Sequence, residues 1–203
     1  RRRASRKPSE SPARIMRRLI AVAFGLTLVA AAQAQTPKSD APAAPAPDLA
    51  FGAFQRGYFV TALKEAMQRI EADKNDATAM TLVGELYAQG LGVKTNPAEA
   101  TRWWKLAAER GDRQAIFSYG LAKLRGEGLP EDRAGGLALL EKAAALGHAG
   151  AFYNLGVAAL ENDGVTSQFA KAAEHFRRGA ELGDSDAAYS LGILYKSGKG
   201  VEK

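Results

Sequence analysis

Few residues of this chain have the types and spacing that catalysis or metal binding requires. Its 203 residues include two histidines and no cysteine, which excludes disulfides, cysteine nucleophiles and Cys-ligated metal sites. His148 and His175 lack the short spacing with a carboxylate, on one helix face, that a catalytic zinc site needs. No G-x-S-x-G nucleophile elbow occurs, and no predicted strand precedes the Gly-x-Gly segments, as a phosphate-binding loop would require. The sequence therefore predicts a non-enzymatic protein with no catalytic residues, no metal and no cofactor.

Glycine and alanine recur in this chain with a period of 36 residues. Four columns of this period are Gly84, Gly120, Gly156 and Gly192; Ala79, Ala115, Ala151 and Ala187; Ala108, Ala144 and Ala180; and Gly111, Gly147 and Gly183. A fixed period of this length is typical of a repeat array, in which each unit packs mainly against its neighbours. We assign these columns a structural role in the repeat.

Each unit of the repeat is predicted to form two helices. Met80, Val83 and Tyr87 share one face of a first helix. The segment Asn96-Pro97-Ala98-Glu99 supplies the cap, the N1 proline and the N3 glutamate of a second helix. Gly111 is placed to end that second helix in the left-handed conformation. Glycine inside the first helix, at position 84 and its equivalents, costs about 1 kcal/mol relative to alanine. We therefore expect another helix to cross there too closely for a Cβ atom.

The chain is predicted to begin with an export signal, followed by a spacer and then the repeats. The sequence predicts a signal peptide over residues 1–34 that is cleaved after Ala34. This segment has basic residues first, then the sixteen uncharged residues Leu19–Ala34, which end in Ala-Gln-Ala. An uncleaved anchor is the alternative, and whether residues 1–15, which precede Met16, are translated stays open. The predicted segments that follow are a Pro/Ala-rich linker at 35–49, an atypical N-terminal helical repeat at 50–76, full repeats at 77–112, 113–148 and 149–184, and a truncated repeat at 185–203.

The net charge of +6 is concentrated in the predicted export signal. Residues 1–18 hold eight of the 28 basic residues and one of the 22 acidic residues, which leaves 20 basic and 21 acidic residues, a net charge of −1, for the remainder. A nearly neutral body gives no reason to expect nucleic-acid binding. We predict a periplasmic or secreted protein that keeps no integral membrane anchor after the signal is cleaved.

The repeat resembles a known family in several matched columns. The pattern Ala79-x3-Val83-Gly84-x2-Tyr87-x2-Gly90-x-Gly92, followed by Trp104, Ala107, Ala108 and Gly111, resembles the Sel1-like repeat, a tetratricopeptide-like family. The resemblance implies an all-α, right-handed α-solenoid of helix–turn–helix repeats that acts as an adaptor for other proteins, often in the bacterial envelope. The signal peptide with Ala53-Phe54 and Gly57-Tyr58 is also similar to periplasmic regulators of exopolysaccharide synthesis, which restrain a sensor kinase. The partner we expect is an unidentified protein, such as an envelope sensor or assembly protein.

Two other functions stay open. One secreted branch of the family is linked to β-lactam hydrolysis, so a hydrolase acting on β-lactam or cell-wall substrates is the alternative to an adaptor. That branch is cysteine-rich, and the absence of cysteine here counts against membership. A purely architectural part of a larger envelope protein, without a binding groove, is the other possibility.

A second stripe on the first helices is the predicted binding surface. By analogy with tetratricopeptide arrays, the positions equivalent to 81, 85 and 88 face a concave groove that binds a peptide or helix. Phe117, Tyr153 and Tyr189 would form an aromatic ladder along it, with Glu85 and Arg125 at its rim. The alternative is that these aromatic side chains fill the space between neighbouring repeats.

Overall fold

The structure, a computed structural model, describes residues 48–161 and 166–201, and that part of the chain is helical with short connections. Its helices are α1 (Leu49–Gln55), α2 (Phe59–Ala72), α3 (Ala77–Gln89), α4 (Pro97–Glu109), α5 (Arg113–Arg125), α6 (Arg133–Ala145), α7 (Ala149–Glu161), α8 (Thr166–Glu181) and α9 (Ser185–Ser197). The predicted signal peptide and nearly all of the predicted linker lie outside the described residues.

The helices stack in chain order as pairs. α3 packs on α4, α5 on α6 and α7 on α8, and each pair also packs on the next. α1 and α2 form a further pair before them, and α9 packs on α8. The all-α solenoid of helix–turn–helix repeats that the sequence predicts is therefore confirmed.

Short polar side chains begin the helices, and glycines end them. The carboxylates of Asp76, Asp112 and Asp184 cap the first helices α3, α5 and α9 by accepting a backbone N–H of the first turn, at 2.7–2.9 Å. Asn96 caps the second helix α4 in the same way, by accepting the amide of Glu99. The glycines that follow the second helices, Gly111, Gly147 and Gly183, have φ values of +85°, +79° and +90°. The caps thus set the boundaries of the helices within each repeat.

The glycines inside the first helices do not all share one environment. A Cβ atom on Gly84 would lie 2.5 Å from the Trp104 indole, and one on Gly156 would lie 2.5 Å from the Phe176 ring. Gly120 is less crowded, with Leu139 Cβ at 3.1 Å. At Gly192 no described atom lies within 4 Å, so the close approach expected there is wrong. The reason is that α9 has no described second helix of its own repeat against it.

The alanine columns supply much of the buried centre of the stack. Ala79, Ala115, Ala151 and Ala187 are at most 1% exposed. Ala108 and Ala144 are also buried, whereas Ala180 is only half-buried. The largest fully buried side chains are Phe176, Leu86, Ile116, Leu140 and Val83. Small residues therefore bring the helices together, and a few large side chains fill the space that remains.

The Gly-x-Gly turn of one repeat docks on the second helix of the preceding repeat. Gly92 has φ +69°, and a Cβ atom there would lie 2.6 Å from the backbone nitrogen of Val60 in α2. Gly128 has φ +75°, and a Cβ atom there would lie 2.3 Å from the carbonyl oxygen of Pro97 in α4. Because α2 receives the turn as α4 does, α1 and α2 pack as a repeat unit in spite of their divergent sequence.

Candidate functional site

Two adjoining clefts follow the predicted binding stripe. The first, here the N-terminal cleft, has a volume of about 370 Å³ and is lined by Asp48, Phe51, Phe54, Arg69, Thr78, Thr81, Leu82, Glu85, Asp112 and Gln114. The second, the central cleft, has a volume of about 240 Å³ and is lined by Glu85, Ala88, Trp104, Gln114, Phe117, Ser118, Leu121, Arg125 and Glu127. Glu85 and Gln114 line both clefts, so together the two form one groove across α1, α3 and α5.

The outer end of the N-terminal cleft is held by a carboxylate–guanidinium network. Arg69 on α2 donates from Nε to Asp76 Oδ2 at 2.8 Å and from Nη2 to Asp76 Oδ1 at 3.1 Å. Its Nη1 lies 2.6 Å from Asp48 Oδ2. Both carboxylates also cap helices, since Asp48 accepts the amide of Phe51 and Asp76 that of Ala79. One guanidinium thus joins the first turns of α1 and α3.

Protonation in this network follows from the same contacts. Partial burial would raise the pKa of the Asp48 carboxyl, but hydrogen bonds from Arg69 and from the Phe51 amide outweigh it and lower that pKa below its ordinary value. Hydrogen bonds to Asp76 and Asp48 raise the pKa of Arg69 above its ordinary value. Asp48 therefore stays negatively charged and Arg69 positively charged at neutral pH, and the Asp76 side chain shares the same guanidinium.

Aromatic and aliphatic side chains form the walls of the groove. Phe51 is 48% exposed and stacks on Phe54, with 6.3 Å between ring centroids. In the central cleft, Trp104 is 7% exposed, and its Nε1 is buried with no hydrogen-bond partner among the described residues. Phe117 and Leu121 complete that wall from α5. The groove therefore offers apolar contact area with polar groups at its rim.

The structure brings only some of the predicted groove residues together. Glu85, Phe117 and Arg125 line the central cleft. Arg125 Nη1 lies 3.6 Å from Glu127 Oε1. Tyr153 lines neither cleft, because its ring packs on Phe176 of its own repeat with centroids 5.9 Å apart. Tyr189 also lines neither cleft and is 73% exposed on α9. Of the three predicted aromatic side chains, the clefts thus contain Phe117 alone, and the binding role of each residue remains a prediction.

Phe117 also takes part in the joint between two repeats. Its ring stacks on His148 at 4.0 Å between centroids. His148 Nε2 lies 2.9 Å from Gln114 Oε1, and its Nδ1 accepts the amide of Ala151 at 3.3 Å. Burial, and to a lesser degree the positive charge of Arg113, lower the pKa of His148 below its ordinary value. The neutral imidazole therefore caps α7 where Asp76, Asp112 and Asp184 cap the equivalent helices.

Sequence reasoning did not identify the outer half of the groove. Asp48, Phe51 and Arg69 lie in the divergent first unit, where no repeat column marks them. The contact between Asp48 and Arg69 joins two separate helices, and the only local signal for it is Asp48 as a cap for α1.

In the part of the chain that the structure describes, no group of three or more His, Asp or Glu side chains could hold a metal ion. Within the same residues, no helix is both long enough and apolar enough to cross a membrane.

A known repeat family matches the same units. The family model described as "Sel1 repeat" matches residues 77–112, 113–148, 151–184 and 185–203, which together make up more than half of the chain. The chain belongs to the Sel1 repeat family. No curated protein matches this Sel1 repeat chain at a significant level.

Solved structures with the same fold include other Sel1 repeat proteins. The Sel1 repeat protein from Oxalobacter formigenes is 30% identical with a TM-score of 0.63, over 76% of this chain and 63% of that one. The c5321 protein, a protective antigen of uropathogenic Escherichia coli with an SLR fold, is 28% identical with a TM-score of 0.63, over 76% of this chain and 35% of that one. This Sel1 repeat chain thus spans less than two thirds of either relative.

A more distant structure shows the same fold alone. MamA is 21% identical with a TM-score of 0.51, and the match covers 75% of this chain and 85% of that one. Sel1 and tetratricopeptide-like repeats commonly serve as protein-interaction modules, and such a fold is typically a non-catalytic scaffold. At this coarse level, the chain has the fold of a repeat family whose members commonly serve as protein-interaction modules.

Proposed function

We propose that this protein is an exported, non-catalytic adaptor or regulator of the bacterial envelope, and that it binds a segment of a partner protein in the groove. The observation that carries this proposal is that two clefts on the first-helix stripe adjoin at Glu85 and Gln114. A bound segment can therefore contact α1, α3 and α5 at once. The proposed partner is an envelope sensor or assembly protein.

The apolar walls supply the affinity, and the rim orients the partner. Covering a half-exposed ring such as Phe51 removes apolar area from water at about 25 cal/mol per Å². Charges at the rim affect association rate and register more than total affinity. Large aromatic side chains in a desolvated cleft are also the usual energetic anchors of an interface.

The proposed groove is tested by in-cell photo-cross-linking of the full-length protein. The photoreactive residue replaces Gln114, which is exposed and lines both clefts. We expect a defined adduct that Phe117→Ala removes. Tyr195→Ala, a matched loss of an exposed aromatic ring that lines neither cleft, should leave it unchanged. Far-UV circular dichroism checks that both variants keep their helices. An adduct that survives Phe117→Ala, or that Tyr195→Ala removes equally, would contradict the proposal.

Export is tested separately on the protein expressed from Met16. We expect the mature protein in the periplasmic or secreted fraction, with Gln35 as its first residue by mass spectrometry, because Ala34 has the small side chain that signal peptidase accepts. A protein found only in the cytoplasm with its first residues intact would refute this part of the proposal.

A further inference from the structure

The groove has an excess of negative charge that internal ion pairs do not neutralise. Arg69 is bound by two carboxylates, and Arg125 lies beside Glu127. Neither Glu85 nor Asp112 has a cationic side chain within 4 Å among the described residues. Asp112 is engaged as the cap of α5, and Glu85 accepts a hydrogen bond from the neutral Gln89. These two carboxylates are therefore available to an incoming cation.

Glu85 lies where the two clefts adjoin. It lines both the N-terminal and the central cleft, together with Gln114. The N-terminal cleft has apolar walls formed by Phe51, Phe54 and Leu82, and its volume is in the range of small-ligand sites. A segment that places one apolar side chain in each cleft then passes between the clefts at Glu85 and Gln114, which brings its connecting residue near the Glu85 carboxylate. Its half-buried surroundings strengthen attraction to a cation relative to bulk water.

We propose that the groove selects a partner segment with two apolar anchors and a lysine or arginine between them, the cation lying over Glu85. This inference rests on the proposed function and specifies the chemistry of the partner. An acidic residue at the same point would face Glu85 and Asp112 with like charge and leave both uncompensated. A neutral residue would fill the clefts but leave the carboxylates unpaired, so its affinity would be intermediate.

The test uses the full-length protein and three synthetic peptides of one length. Each peptide has two phenylalanines in a Gly/Ser background, and the residue between them is arginine, glutamine or glutamate. Binding is followed by anisotropy of a dye on the peptide and by the fluorescence of the two tryptophans, Trp103 and Trp104, of which Trp104 lines the central cleft. We expect the arginine peptide to bind about tenfold more tightly than the glutamine peptide, since a charge-assisted hydrogen bond replaces a neutral one. The glutamate peptide should bind more weakly still.

Protein variants locate the cation. Glu85→Gln removes the charge with little change of shape, and we expect it to weaken the arginine peptide about tenfold while leaving the glutamine peptide unchanged. Glu109→Gln is the matched control, because Glu109 is an exposed carboxylate on α4 that lines neither cleft, and it should have no effect. The preference for arginine should also diminish as the salt concentration rises.

The outcomes separate this inference from the proposed function. No saturable binding of the arginine peptide, equal binding of the three peptides, or equal effects of Glu85→Gln and Glu109→Gln would overturn the inference. The proposed function would remain tested separately, by whether Phe117→Ala removes the cross-link at position 114. Competition by a peptide of residues 36–47 as strong as that of the arginine peptide would assign the groove to this chain's own linker. A dimer that Glu85→Gln dissociates would assign it to a second copy. Either result would also overturn the inference.

Discussion

Replacing each first-helix glycine by alanine tests the packing argument at four equivalent positions. In every case the helix itself gains about 1 kcal/mol, because alanine loses less backbone entropy. The steric cost of the new Cβ atom opposes this gain, and it differs from site to site with the distance from that Cβ to its neighbours. At Gly192 nothing lies within 4 Å, so Gly192→Ala should stabilise the protein by about 1 kcal/mol.

The opposite sign is expected where an aromatic ring occupies the space. At Gly84 and Gly156 the new Cβ would lie 2.5 Å from the rings of Trp104 and Phe176, too short for a real contact. Overpacking of this kind costs about 1–3 kcal/mol. After the helix gain, we expect a net destabilisation of up to about 2 kcal/mol at both sites. The change in stability for Gly120→Ala should lie between that of Gly192→Ala and those of the Gly84 and Gly156 variants, since the nearest neighbour of its new Cβ would be Leu139 Cβ at 3.1 Å.

The measurement is urea unfolding followed by far-UV circular dichroism at a fixed protein concentration. A change of 1 kcal/mol corresponds to about 2–4 °C in Tm for a chain of this size. The double variant Gly84→Ala with Trp104→Leu should recover part of the loss, because leucine is the residue type at the matching position 140. If all four glycine variants shift stability in one direction, or Gly192→Ala destabilises most, close helix contact is not why these glycines are present.

Three further changes test single contacts by the free energy of unfolding. Trp104→Phe should change it by less than about 1 kcal/mol, because the lost Nε1 has no partner, whereas Trp104→Ala should cost about 3–5 kcal/mol. The pKa of His148 is lower in the folded state than in the unfolded chain, so the unfolded chain binds more protons as the pH falls. The contribution of His148 to the free energy of unfolding is therefore complete above the unfolded pKa of about 6.5. It is lost as the pH falls through the lower pKa of the folded state. His148→Asp should therefore reduce the loss of stability between pH 7 and pH 5; an unchanged loss would exclude His148 as its source. Gly128→Ala should destabilise by more than Gly57→Ala, since both have positive φ but only Gly128 would place a Cβ against backbone; equal losses would mean that strain alone accounts for both.

The sequence predicted those features whose cause is local or periodic. Asn96 and Pro97 predicted where α4 begins, and Gly111 predicted how it ends, since caps depend on residues close together in the chain. The tight packing of Gly84 was also predictable, because the cost of a glycine inside a helix favours a compensating close contact, although Gly192 shows that such a contact is not required.

The outer groove and the position of Tyr153 depend on contacts between distant residues. Whether an aromatic side chain on the stripe faces the groove depends on which side chains of the neighbouring helix it can pack against. Tyr153 packs on Phe176, whereas Phe117 stacks on His148. Arg69 joins two caps from a third helix, and neither its own helix nor either cap shows a periodic signal for that role. Side-chain partners across helices cannot be read from one column of a repeat.

The docking of the Gly92 and Gly128 turns on the helix of the preceding repeat determines how such a chain can change length. The hydroxyl of Thr101 donates to the Glu127 carbonyl oxygen at 2.8 Å, so that turn is also tied to its neighbour by a hydrogen bond. Insertion or deletion of a whole unit reproduces the same junction on both sides. One residue added within the turn would displace a glycine that has no room for a side chain and would disturb two units together. Growth by duplication of complete units is therefore tolerated, whereas these connections, unlike ordinary surface loops, resist single-residue insertions.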